Sequence, residues 1–98
     1  MVTKTLLTIM YVYNASGTSR WNHPIGYSSW LAYWEAYKGK ATKCSACGNR
    51  TNLVGAHVKK AYSTDNHYYI VPLCASCNQR TDIFYVDDNL LLPVPSNL

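Results

Sequence analysis

The stretches CSACG (Cys44–Gly48) and LCASCN (Leu73–Asn78) decide how this chain is read. Each holds a Cys-x-x-Cys pair, and 26 residues separate Cys47 from Cys74. Two-residue spacing lets both thiolates of one turn reach the same ion, and two such turns complete a tetrahedron. Gly48, directly after the first pair, permits the tight knuckle whose backbone amides point at sulfur. Two disulfides would need an oxidising compartment, for which the sequence offers no sign. A redox dithiol would open a helix in a thioredoxin-like βαβ pattern, and no such pattern is present. The pairs are therefore assigned to one Zn²⁺ held by Cys44, Cys47, Cys74 and Cys77. Four sulfur ligands leave no coordination position for water, so the expected role of the zinc is structural. Metal binding worth ~10–16 kcal/mol in zinc-finger peptides exceeds any single packing contribution in so small a segment.

Between the pairs, Leu53–Tyr62 and Tyr68–Leu73 are rich in β-formers and predict two strands joined by Ser63–His67. After Cys74, the short polar residues of CASCNQRTD suit the start of a helix. Ile83–Val86 predicts a further short strand, and Asp87–Asn89 a turn. Upstream, Thr5–Tyr13 predicts a strand and Asn14–Arg20 a loop, which His23-Pro24 and Gly26 prolong. In SSWLAYWEAYKGK, Trp30, Tyr33, Trp34 and Tyr37 share one helical face. Ser28 or Ser29 can cap the start of that helix, and Gly39 its end. An aromatic stripe of this kind can stack on bases, but at helical spacing it reads first as core.

The 98 residues are expected to form one α+β domain. A strand–helix segment (1–43) precedes the zinc module (44–86) and a tail (87–98). The apolar run Leu6–Tyr13 suits a strand better than a secretory signal, and it is too short to span a bilayer. No membrane association is expected, and the reduced thiols suit the cytoplasm. Asn14-Ala15-Ser16 fits a glycosylation sequon, which carries no meaning in a cytosolic protein. The net charge is +4, unevenly placed. Residues 36–80 hold seven basic side chains against the single acid Asp65, which is the usual footprint of a polyanion binder or else a solvated face. Three carboxylates and no base follow, at Asp82, Asp87 and Asp88.

The order knuckle, hairpin, helix resembles the treble-clef zinc finger. Over Cys44 to about Thr81, CSACG, GAHV (Gly55–Val58) and PLCASCN (Pro72–Asn78) resemble the zinc-containing branch of the HNH, or ββα-metal, nucleases. Ten positions separate Cys47 from His57, and seventeen separate His57 from Cys74, as that pattern requires. The resemblance implies that His57 stands where the family has its general base, and Asn78 where a helix residue helps to hold a catalytic Mg²⁺ or Mn²⁺. Two positions depart from it. Ala56 replaces a metal-binding Asp or His, and Tyr69 falls nearest the loop asparagine that orients the base, with Asn66 or His67 able to reach the same space. Alanine has no donor atom, and a lone amide oxygen binds Mg²⁺ weakly without carboxylates or phosphates. Asp65 is a possible substitute acid. Because four cysteines already fill the zinc site, His57 is either a retained base or a structural ring bridging hairpin and helix.

Three functions are consistent with these features. The leading one is a nucleic-acid-binding module without efficient catalysis, in which Lys59, Lys60 and Arg80 contact phosphate and DNA is favoured over RNA. The alternative is a metal-dependent endonuclease using His57 as base and a second ion. The third is a protein-binding zinc domain with its aromatic first half at the interface.

Overall fold

The alternation of Tyr11, Val12 and Tyr13 sets the first strand, since successive side chains of a strand point to opposite faces. In the computed structural model, which describes residues 8–18 and 21–95, this strand is β1 (Ile9–Asn14). Residues 5–7 of the expected strand, residues 19–20 of the loop and residues 96–98 of the tail lie outside the described residues. Val12 is buried, whereas Tyr11 and Tyr13 face outward.

The helix α1 (Trp30–Lys38) starts where Ser29 caps it, its Oγ accepting from the Ala32 amide at 3.0 Å. It ends where the Gly39 amide donates to the Glu35 carbonyl at 3.0 Å. The expected core stripe is only partly core. Tyr33 and Trp34 are buried, Trp30 is half-buried, and Tyr37 is exposed. Trp34 also donates from Nε1 to the Leu90 carbonyl at 2.7 Å, which pins the helix to the C-terminal segment.

The remaining strands are β2 (Leu53–Lys60), β3 (Tyr69–Cys74), β4 (Phe84–Asp87) and β5 (Leu92–Pro93). All pairings are antiparallel and the sheet order is β4-β1-β2-β3-β5. The hairpin β2–β3 is the one expected, although β2 stops before Ala61 because Tyr62 turns the chain with a positive φ of 56°. The tail residues also join the fold: β5 pairs with β3, and Leu91 is buried.

Register divides the sheet into two faces. Met10, Val12, Ala56, Val58, Tyr69, Val71, Phe84 and Val86 share the inner one and, with Leu73, Leu91, Cys44, Cys74 and Cys77, make the core. The outer face carries Tyr11, Tyr13, Gly55, His57, Lys59 and Tyr85 at alternate positions. Helix α1 lies on part of this outer face. A Cβ at Gly55 would sit 2.5 Å from the Leu31 nitrogen, so only glycine lets β2 approach the helix this closely.

One element differs from expectation. The helix anticipated after Cys74 is a three-residue 3₁₀ turn, Cys77–Gln79. Asn14 Nδ2 donates to the carbonyls of Cys77 (2.9 Å) and Arg80 (3.0 Å), which draws these two acceptors toward β1 instead of a helical ladder. Arg80 is extended and its guanidinium is locked to Asp82, which directs the chain into β4. The same contacts place the Asn14 amide inside the fold, where a glycan on its nitrogen would break both hydrogen bonds.

Candidate functional site

The Cys44–Gly48 turn forms because the Gly48 amide reaches the Cys44 carbonyl at 2.9 Å, with Gly48 at a φ of 83°. The Ser45 amide donates to the Pro72 carbonyl at 2.9 Å, fastening the knuckle to β3. The four sulfurs converge: all lie within 4.8 Å of one another, and Cys47 and Cys74 Sγ are 3.7 Å apart. A tetrahedral ion with Zn–S bonds near 2.3 Å needs sulfurs about 3.8 Å apart, so the donor set fits one zinc. No disulfide links them.

Electrostatics point the same way. Burial opposes ionisation of Cys44, but the amides of Cys74, Cys47 and Ala46 outweigh it and bring the thiol down to about 7. Burial and the neighbouring sulfurs push Cys77 up to about 12. Four sulfurs so close cannot all ionise without a cation among them, and a bound metal deprotonates its thiol ligands outright. Cys44, Cys74 and Cys77 are buried, and Cys47 is exposed at the rim.

Next to this centre lies a cleft of about 330 Å³. It is lined by His57 and Asn78, the two residues nominated from the sequence, together with Thr18, Trp21, Trp30 and Ala56. His57 is 8% exposed, and its Nε2 has no hydrogen-bond partner among the described residues. Its ring meets Trp30 at 4.6 Å and Trp21 at 5.2 Å, both nearly perpendicular. Burial lowers its pKa to about 4, so it is neutral at pH 7. No carboxylate is among the described residues lining the cleft.

The other candidates are elsewhere. Asp65 is engaged on the far side of the hairpin loop, where it accepts from Tyr69 Oη at 2.5 Å and from the His67 amide at 2.7 Å. Tyr69 therefore holds Asp65 rather than His57. Asn66 and His67 line a separate recess of about 480 Å³ with Trp21 and Tyr68.

The three nominated cations differ sharply. Lys60 Nζ lies 3.7 Å from Asp65 and 3.9 Å from Asp88, and Arg80 is paired with Asp82 at 2.6 Å. Lys59 has no acidic partner among the described residues; its Nζ sits 4.9 Å from the centre of the Tyr68 ring. Lys38, Lys40 and Lys43 line another recess beside Cys47.

The sequence reading missed Trp21 and Trp30 as walls of the cleft, and the outward tyrosines. The alternation at Tyr11 and Tyr13 was the available signal for the latter. Comparison with family models, with curated proteins and with solved structures returned no match to this chain.

Proposed function

We propose that this protein is a nucleic-acid-binding module built on a structural zinc centre, without efficient strand cleavage. The observation that carries the reading is the composition of the cleft beside the zinc. It joins His57 and Asn78, the positions in which the chain resembles HNH nucleases, but supplies no carboxylate among the described residues. A hydrolytic ion there would have one imidazole and one amide to hold it, too few hard oxygen donors for Mg²⁺. Without the ion, the larger electrostatic stabilisation of the phosphate transition state is missing. Binding does not depend on it. Lys59 has no acidic partner among the described residues, and Lys43 and Arg50 are exposed on the knuckle side. Lys60 and Arg80 are paired with carboxylates, so Lys59 is given the larger part in phosphate contact.

A supercoiled-plasmid assay with zinc-loaded protein tests this reading across Mg²⁺ and Mn²⁺. The expected result is retardation at low salt that fades as salt rises, with no nicking. Nicking by the native protein but not by a folded His57→Ala variant would make it an endonuclease. Absence of nicking, together with failure to retard either the plasmid or single-stranded DNA, would remove the nucleic-acid reading and favour a protein partner.

A further inference from the structure

We infer that the nucleic acid is single-stranded and that its bases stack along an aromatic track on the outer face of the sheet. This rests on the nucleic-acid reading above and names the substrate class. The part of that face carried by β4 and β1 presents Tyr85, Tyr11 and Tyr13, where a solvent-facing antiparallel sheet ordinarily shows polar side chains. Tyr11, Tyr62 and Tyr85 are 50%, 84% and 56% exposed, so they serve no core. Tyr11 meets Tyr62 at 6.1 Å and Tyr85 at 6.2 Å, both edge to face. Edge contacts leave part of each ring face open to a further π-system.

The track continues across β2. Tyr13 is the register partner of Lys59, whose ammonium lies over Tyr68. Tyr68 meets Trp21 at 4.8 Å, and Trp21 reaches the His57 ring at the cleft. A cation without an acidic partner among the described residues thus stands between two runs of aromatic rings. This interleaving suits a chain that alternates phosphate and base. Asp87 is the one carboxylate at the described strand positions of this face, and its Oδ1 accepts from the Asn89 amide at the far end of β4. At the other end, the recess between Trp21 and Tyr68 has room for one base, with Asn22 and Asn66 at its rim to meet the base edge. A duplex keeps its base faces stacked inside and would find nothing to pair with these rings.

The test compares three fluorescently labelled probes of equal length with the zinc-loaded protein: an oligothymidylate, the same backbone with abasic sites, and a duplex. The oligothymidylate is expected to bind at least about tenfold tighter than either of the others. Tyr11→Leu and Tyr85→Leu should each weaken it by roughly tenfold while zinc content and thermal midpoint stay near native. Lys59→Ala should reduce the salt dependence of binding. Equal affinity for the abasic strand, a preference for duplex, or unchanged binding by both folded tyrosine variants would overturn the stacking inference and leave the nucleic-acid reading standing. Failure of all three probes to bind would end both.

Discussion

The side-chain amide of Asn14 donates to the backbone carbonyl of Cys77 across 63 positions of sequence, at 2.9 Å. With its second bond to Arg80, at 3.0 Å, it ties the end of β1 to the turn that carries the last of the four clustered cysteines. Strand and metal centre are therefore one mechanical unit. Asn14→Ala should cost about 1–3 kcal/mol, the usual penalty for orphaning partly buried polar groups. It should also speed zinc release to a chelator. Urea denaturation and a chromogenic chelator assay measure the two effects, and a native release rate would show that the turn does not need the tie.

The zinc prediction is stoichiometric. One ion per chain should be found, and Co²⁺ substitution should give the intense visible absorption of a four-thiolate tetrahedral site. Cys77→Ser should leave the protein unfolded near room temperature, since a structural zinc contributes ~10–16 kcal/mol and a domain's whole stability is only about 5–15 kcal/mol. A folded, metal-free Cys77→Ser protein seen by circular dichroism would contradict this.

His57 should set a pH window for stability. Its folded pKa of about 4 lies below the ordinary 6.5, so the unfolded chain binds the extra proton between these values. The stabilisation is complete above pH ~6.5 and is lost as pH falls toward ~4, by on the order of 3 kcal/mol. His57→Gln should lack this part of the acid sensitivity. Parallel urea titrations of the two proteins, with zinc saturating, should diverge below pH ~6.5. Curves that stay parallel would mean that the ring gains a proton partner inside the fold.

Gly55 is the contact point of β2 with α1. Gly55→Ala should cost about 1–3 kcal/mol, because the added methyl meets helix backbone rather than a side chain able to swing away. Zinc binding should persist, as the knuckle and the Cys74–Cys77 turn are fastened through β3 and Asn14. Denaturation midpoints and zinc content together check this.

The two adjacent lysines should behave differently. Lys60 is held by Asp65 and Asp88 and packs over Tyr69, so Lys60→Ala should cost roughly 1 kcal/mol of stability. Lys59 should affect stability little and nucleic-acid affinity more. Thermal midpoints and retardation assays on the two variants separate the roles, and identical phenotypes would contradict the distinction.

What the sequence made visible was what nearby residues decide. The thiolate spacing, the β-branched and aromatic runs at Leu53–Lys60 and Tyr69–Cys74, and the Ser29 and Gly39 boundaries of α1 act within a few positions of themselves. The misread helix after Cys74 was lost to a distant residue, since nothing in CASCNQRTD announces that Asn14 will take its carbonyls. The same holds for the cleft. His57 and Asn78 stood out through their place beside the cysteines, whereas Trp21 and Trp30 reach the imidazole only because α1 and its preceding loop fold across the outer face. Lys60 gains Asp88 only through the folding of distant segments, which a linear charge pattern does not contain, whereas Arg80 has Asp82 two positions on, a partner the sequence already offered.

The sheet order has a consequence for biogenesis. β1 is made first, but its neighbours are β2 and β4, and the second of these ends at Asp87. Its pairing is then among the least local in the chain, and such contacts form slowly because a long loop must close before they contribute. The cysteine pairs, by contrast, enclose only the hairpin, so zinc can assemble that hairpin while β1 still waits for its outer partner. Refolding with zinc should therefore proceed in two kinetic phases, the metal signal leading and the burial of Val12 following.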